Sequence, residues 1–97
     1  MRILITGCAG FIGHCVTKSF LNKKNIVVGI DNINNYYSTS LKNNRLKDII
    51  KKRKIKKVFF KFYKYDLKHF KKIRNVFNKY KFDTVIHLAA QAGVRYS

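Results

Sequence analysis

Gly7, Gly10 and Gly13 are the residues whose spacing suggests chemistry. They stand in Gly7-Cys8-Ala9-Gly10-Phe11-Ile12-Gly13, directly after the apolar run Ile3-Leu4-Ile5. Glycine at the first position permits a tight turn out of a strand. At the second, with no Cβ in the way, a pyrophosphate can approach the backbone, and at the third a following helix can pack closely on a sheet. Free N–H groups at the start of that helix would face the phosphates, helped by the helix dipole. The bland alternative is a strand-turn-helix with incidental glycines; three at this spacing, between strand and helix, outweigh it. A carboxylate completes the set. Asp31 lies 18 residues beyond Gly13, at the end of a second apolar run. There it can accept hydrogen bonds from ribose hydroxyls and would repel a 2′-phosphate, so the cofactor expected is NAD rather than NADP. Against this stand a plain turn aspartate in Asp31-Asn32 and the many lysines, whose charge could soften that exclusion.

Two more segments fall where a ligand could reach them. Asp66-Leu67 and Leu88-Ala89-Ala90 each follow a predicted strand, at the carboxyl edge of the sheet where open α/β folds bind ligands. Asp66 taken alone serves equally well as a helix cap. Ala89 and Ala90 are small enough for close approach of a flat ring or sugar. His87 reads as a packed strand histidine rather than a catalyst. Cys8 and Cys15 are seven residues apart, which fits neither a zinc motif nor a disulfide framework. They read as reduced bystanders, and no metal site is expected.

The elements that must position these residues follow from periodicity. Arg2–Thr6 reads as a short buried strand. Residues 11–21 carry Phe11, Ile12, Cys15, Val16, Phe20 and Leu21 at helical spacing. Residues 26–30 form a second apolar strand and 32–37 a loop. A helix begins near 38–40, where hydroxyls can cap it, with Leu41, Leu46, Ile49 and Ile50 as its apolar face. Residues 58–63 alternate as a third strand; Phe70, Ile73, Val76, Phe77 and Tyr80 mark a third helix; 84–88 is a fourth strand. The order β-α-β-α-β-α-β implies a parallel sheet with right-handed crossovers and helices on both faces. An open parallel sheet wants another helix after the fourth strand, so the chain reads as cut rather than finished.

Composition bounds the rest. The chain has 97 residues, 22 Lys+Arg against four aspartates, and a formal charge of +18. Such a field attracts polyanions. The lysines nevertheless spread over predicted helices and a strand, densest over 47–72, as solvated faces do. The opening Met1-Arg2-Ile3-Leu4-Ile5 is broken at once by Thr6-Gly7, so it makes a poor signal peptide. No apolar run is long enough to span a bilayer. The expectation is a cytoplasmic protein without membrane or specific nucleic-acid partners.

Thr6-Gly7-x-x-Gly10-x-x-Gly13, Asp66-Leu67 and Asp83-x-x-x-His87-x-Ala89-Ala90 together resemble the extended short-chain dehydrogenase/reductase family, and within it the NAD-dependent nucleotide-sugar epimerases and dehydratases. The segments running from Gly29 to Tyr37 and from Ala89 to Ser97 are similar to UDP-glucuronate 4-epimerases. The resemblance covers the whole chain. It implies a doubly wound Rossmann sheet, of which residues 1–97 would be the N-terminal portion, with the catalytic and substrate-binding part absent. It implies NAD contacts from Phe11 and Ile12 to the phosphates and from Asp31 and Asn32 around the ribose, with Asn34, Asn35 and Tyr36 near that edge. Asp66 and Leu67 would flank the adenine; Leu88, Ala89, Ala90 and Gln91 would line the path on the nicotinamide side. His69 stands where relatives often carry a helix-capping acid, which puts that cap in doubt.

Family enzymes oxidise a sugar hydroxyl and return the hydride from the other face. A tyrosine with a lysine four residues on moves the proton. None of the six tyrosines here has that lysine: Tyr36, Tyr37, Tyr63, Tyr65 and Tyr80 are followed at plus four by Ser40, Leu41, Leu67, His69 and Thr84, and Tyr96 is the penultimate residue. No catalytic residue is therefore assigned. The expected activity is that of the NAD-binding portion of an enzyme interconverting UDP-glucuronate and UDP-galacturonate by transient C4 oxidation, with a UDP-sugar as substrate and homodimers among full-length relatives. The alternatives are another sugar-nucleotide dehydratase or decarboxylase of the family, a non-catalytic NAD-binding remnant, and a basic nucleic-acid-binding module.

Overall fold

The computed structural model describes residues 1–33 and 39–89. The elements run β1 (Arg2–Thr6), α1 (Phe11–Phe20), β2 (Ile26–Asp31), α2 (Thr39–Lys56), β3 (Phe59–Lys64), α3 (Phe70–Tyr80) and β4 (Thr84–His87), in the alternation read from periodicity. All strands are parallel, in the order β3-β2-β1-β4. The chain steps outward from β1 to β3 and then returns to the other side of β1. That reversal opens a crevice at the carboxyl ends of β1 and β4, the place where open α/β sheets hold ligands.

The inner strands are continuous apolar runs because both of their faces are covered. Ile3, Ile5 and Val27 face one layer with Leu21, Ile49 and Phe60, where α1 and α2 add Val16, Phe20, Leu46 and Ile50. Leu4, Val28 and Ile30 face the other, where α3 adds Ile73, Val76 and Tyr80. The six inner-strand residues are at most 1% exposed, so each contributes roughly 1.5–3 kcal/mol of apolar burial. The edge strands are only half covered. β3 starts at Phe59, one residue later than its pattern predicts, because the Val58 N–H still closes the end of α2 on the Arg53 carbonyl.

Two expectations about helices need correcting. Leu41 does not belong to the apolar face of α2; it is 51% exposed. At about 100° per residue it lies roughly 140° around the helix from Leu46. The inward stripe instead runs Lys42, Leu46, Ile49, Ile50 and Arg53, apolar at its centre and basic at both ends. Basic heads on this helix find backbone oxygens: half-buried Arg53 donates to the Phe60 carbonyl and exposed Lys56 to that of Leu21. Nor is Asp66 the cap of α3. The N-cap is His69, which makes no side-chain capping bond. Asp66 accepts the Lys68 N–H in a local turn and donates its own N–H to His69 Nδ1.

Candidate functional site

The glycine loop joins β1 to α1 at the crevice. Gly7 has a φ of 71°, which only glycine adopts cheaply. Its N–H bonds the Ile30 carbonyl at 2.8 Å, tying the loop to the end of β2, and the Gly10 N–H closes the turn on the Gly7 carbonyl. A Cβ at Gly13 would run into that same carbonyl, so helix and loop can approach only if residue 13 is glycine. Gly10 is different. Its backbone is extended, and an added Cβ would meet a single neighbour, the Gly7 carbonyl oxygen at 3.3 Å. The fold's demand for glycine there is milder than at Gly7 or Gly13, a tight contact that the Gly7 carbonyl could relieve by a small shift; a ligand lying over the loop would add to it. Beside it, the Phe11, Ile12 and Gly13 N–H groups have no acceptor among the described residues. The side chains of Phe11 and Ile12 are exposed.

Asp31 ends β2 against this loop. Its Oδ2 accepts the Ala9 N–H at 3.1 Å; its Oδ1 accepts the Ile33 N–H at 2.8 Å and Lys42 Nζ at 3.0 Å. A carboxylate only 2% exposed is tolerable because these donors replace water. Under the loop, burial pushes the Cys8 thiol far up, with the Asp31 charge adding to the effect. Cys8 is thus an inert core residue. Neither cysteine is in a disulfide.

The end of β4 is tied to β1 by Thr6. Its buried hydroxyl accepts the Leu88 and Ala89 N–H groups at 3.1 and 3.3 Å, and sits 2.7 Å from His87 Nδ1. With both lone pairs engaged, the hydroxyl proton goes to the imidazole, which leaves the His87 proton on Nε2. His87 is therefore not simply packed in the strand: it is largely exposed and held by one edge of its ring. Asp83, at the other end of β4, accepts the Arg2 N–H and donates to the Arg2 carbonyl, pinning the register of the two strands.

The structure brings most of the sequence-predicted residues to one edge. A Cβ at Gly7 would lie 2.8 Å from Leu88 and Ala89 backbone atoms, and Asn32 at the end of β2 hydrogen-bonds Asp66 beyond β3. The Lys68 N–H, first, and then Asn32 hold the Asp66 carboxyl below the usual carboxylate range. Leu67 is exposed beside it. Asn34, Asn35, Tyr36, Ala90 and Gln91 lie outside the described residues. Residue-type reasoning missed Lys42 and Arg45. Arg45 reaches the Ala9 carbonyl and lies over the Phe11 ring, 5.8 Å from its centroid. The available signal was a lysine on the inward stripe of α2, four residues before Leu46.

Comparison with known proteins fits this geometry. The family model described as GDP-mannose 4,6 dehydratase matches residues 4–97. The chain is 46% identical, over its full length, to the protein named CapI of Staphylococcus aureus, and covers 27% of that protein. It is 43% identical over 94 residues to a UDP-glucuronate 4-epimerase of Thermodesulfobacterium geofontis (strain OPF15), covering 97% of this chain and 28% of that protein. The chain thus spans about a quarter of the length of these relatives. Among solved structures, the UDP-glucose 4-epimerase of Bifidobacterium longum in complex with NAD+ and UDP superposes with a TM-score of 0.72 at 28% identity, over 94% of this chain and 25% of that one. No helix among the described residues is long and apolar enough to cross a membrane.

Proposed function

Because the chain belongs to the GDP-mannose 4,6 dehydratase family, we propose that it is the NAD-binding portion of a nucleotide-sugar epimerase. The observation that carries this reading is the start of α1. Three N–H groups without acceptors among the described residues stand beside Gly10, where an added Cβ would crowd only the Gly7 carbonyl, with a held carboxylate at the next strand end. In this reading Gly7 and Gly13 shape the turn, and the N–H groups of Phe11 and Ile12 hold the pyrophosphate. Asp31 and Asn32, with Asn35, take the adenosine ribose; Asp66 and Leu67 flank the adenine; Leu88, Ala89, Ala90 and Gln91 line the nicotinamide side. NAD, when bound, supplies the hydride acceptor for the sugar.

The substrate pair UDP-glucuronate and UDP-galacturonate is supported by the similarity to a UDP-glucuronate 4-epimerase. The description of the matching family as a dehydratase keeps a sugar-nucleotide dehydratase as the second reading. Proton transfer is assigned to no residue here, since no tyrosine has its lysine at plus four. Incubation of the chain with NAD and UDP-glucuronate is therefore expected to yield no UDP-galacturonate by chromatography. Turnover above a no-protein control would place a catalytic base within these 97 residues.

Calorimetric titration tests the cofactor. NAD is expected to bind more tightly than NADP, and Gly10→Val to abolish NAD binding while leaving the circular dichroism spectrum unchanged. A folded Gly10→Val variant with undiminished NAD affinity overturns the reading.

A further inference from the structure

The ribose carboxylate is not free to act alone. A carboxylate has about four acceptor positions, and among the described residues Asp31 has spent three, on Ala9, Ile33 and Lys42. One position remains, on Oδ2. A ribose diol has two hydroxyls, so they cannot both donate to Asp31 while Lys42 holds Oδ1. Among the described residues Lys42 Nζ has used one of its three N–H donors, and its side chain is only 12% exposed, beside a carboxylate that is 2% exposed. One turn along the same face, Arg45 reaches the glycine loop at the Ala9 carbonyl.

We propose that Lys42 is a specificity-determining residue for the dinucleotide, and that the neutral pair Asp31–Lys42, rather than Asp31 alone, reads the 2′ position of the adenosine ribose. The proposal rests on the NAD-binding reading above. A lone buried carboxylate repels a 2′-phosphate strongly; a carboxylate paired with an ammonium at 3.0 Å repels it much less. Lys42 also offers N–H donors that suit either a hydroxyl oxygen or a phosphate oxygen. The preference for NAD over NADP is accordingly blunted by Lys42.

Two variants test this by calorimetry with NAD and NADP. Lys42→Gln keeps an N–H donor for Asp31 but removes the charge; the NAD:NADP affinity ratio is expected to rise about tenfold, whereas Lys42→Arg leaves it near the wild-type value. Asp31→Asn removes the acidic partner and frees the lysine; NADP is then expected to bind more tightly than NAD. If Asp31 acts alone, Asp31→Asn instead equalises the two cofactors. That result, or an unchanged ratio in folded Lys42→Gln, overturns the role of Lys42 while the NAD site stands. Wild-type protein that binds neither dinucleotide overturns the site itself, and this inference with it.

Discussion

Around the glycine loop, polar side chains are buried and held by several partners: Thr6 and Asp31, 5% and 4% exposed, each hold three among the described residues. Across the sheet, on the β3–α3 flank, the polar contacts are of another kind. Tyr63 stacks on Tyr65, Tyr80 on Phe82, and Lys61, Lys72 and Lys79 lie over Tyr63, Tyr65 and Tyr80. A shallow concavity there is lined by Tyr63, Tyr65, Lys72, Asn75, Val76 and Lys79. The flank has shape, rings and charge, yet its contacts are wet and worth about 0.5–1 kcal/mol each. The loop edge instead presents backbone donors held in one arrangement. Desolvation is the difference. A buried polar atom without its partner costs about 1–3 kcal/mol, so the partners at the loop edge are obligatory and their geometry is fixed.

Substitutions on the two sides should differ accordingly. The largest effect is expected from Gly13→Ala. Its methyl meets the Gly7 carbonyl rather than a movable side chain, so overpacking of about 3 kcal/mol is expected; a melting midpoint within a degree of wild type would show that loop and helix are looser than this. Next comes Thr6→Val. It leaves the Ala89 N–H and His87 Nδ1 without their hydroxyl partner, while the Leu88 N–H keeps the Thr6 carbonyl; a loss of about 2 kcal/mol in denaturant unfolding is expected, and faster amide exchange at residue 89 but not at 88 is its signature.

Smaller effects belong to exposed contacts. Asp48 on α2 accepts from Lys18 and from His14 on α1, each at 2.7 Å. Lys18, and then His14, hold its carboxyl below the usual range. A depressed carboxylate stabilises the fold at pH values above its unfolded pKa, and that stability is lost as pH falls through the folded one. Asp48→Asn is therefore expected to cost up to about 1 kcal/mol at neutral pH, since the pair is half exposed, with the gap to wild type closing on acidification. A gap that persists in acid would rule out the ion pairs as its cause.

The smallest change in stability is expected on the flank itself. Burial, and then the hydrogen bond with Tyr63, which engages the neutral phenol, push the Tyr80 phenol up to about 12. Tyr63→Phe removes the second cause and leaves the first. Stability should shift by less than about 0.5 kcal/mol, while the Tyr80 titration, followed by ultraviolet absorbance, moves down toward the ordinary phenol range without reaching it. A large loss of stability would mean that this flank is as tightly determined as the loop edge.

Much of this was readable beforehand, for identifiable reasons. The inner strands announced themselves because Ile3-Leu4-Ile5 and Val27-Val28 are apolar at every position, the mark of two covered faces. The placement of Leu41 on the apolar face failed because α2 turns it away from the stripe that Leu46, Ile49 and Ile50 define. His87 was read from its strand alone, whereas its partner Thr6 is 81 residues distant. For Asp66 a cap and a ligand-edge residue were equally open, because aspartate before a helix often caps it; the turn to Lys68 instead shifts the cap to His69.

Local rules settle the order of elements, the turn at Gly7, the close contact at Gly13 and the aspartate closing the second strand. Each depends on sterics or periodicity within a few residues, so sequence alone determines them. Sequence alone does not say which of 22 basic residues meets Asp31. Before folding, Lys42 is one lysine among many. The crossover from β2 to β3 lays the first turns of α2 beside the end of β2. The helical period then directs Lys42 inward and Leu41 outward. Only that arrangement, by excluding water from the pair, turns one surface-type lysine into a partner of the buried carboxylate.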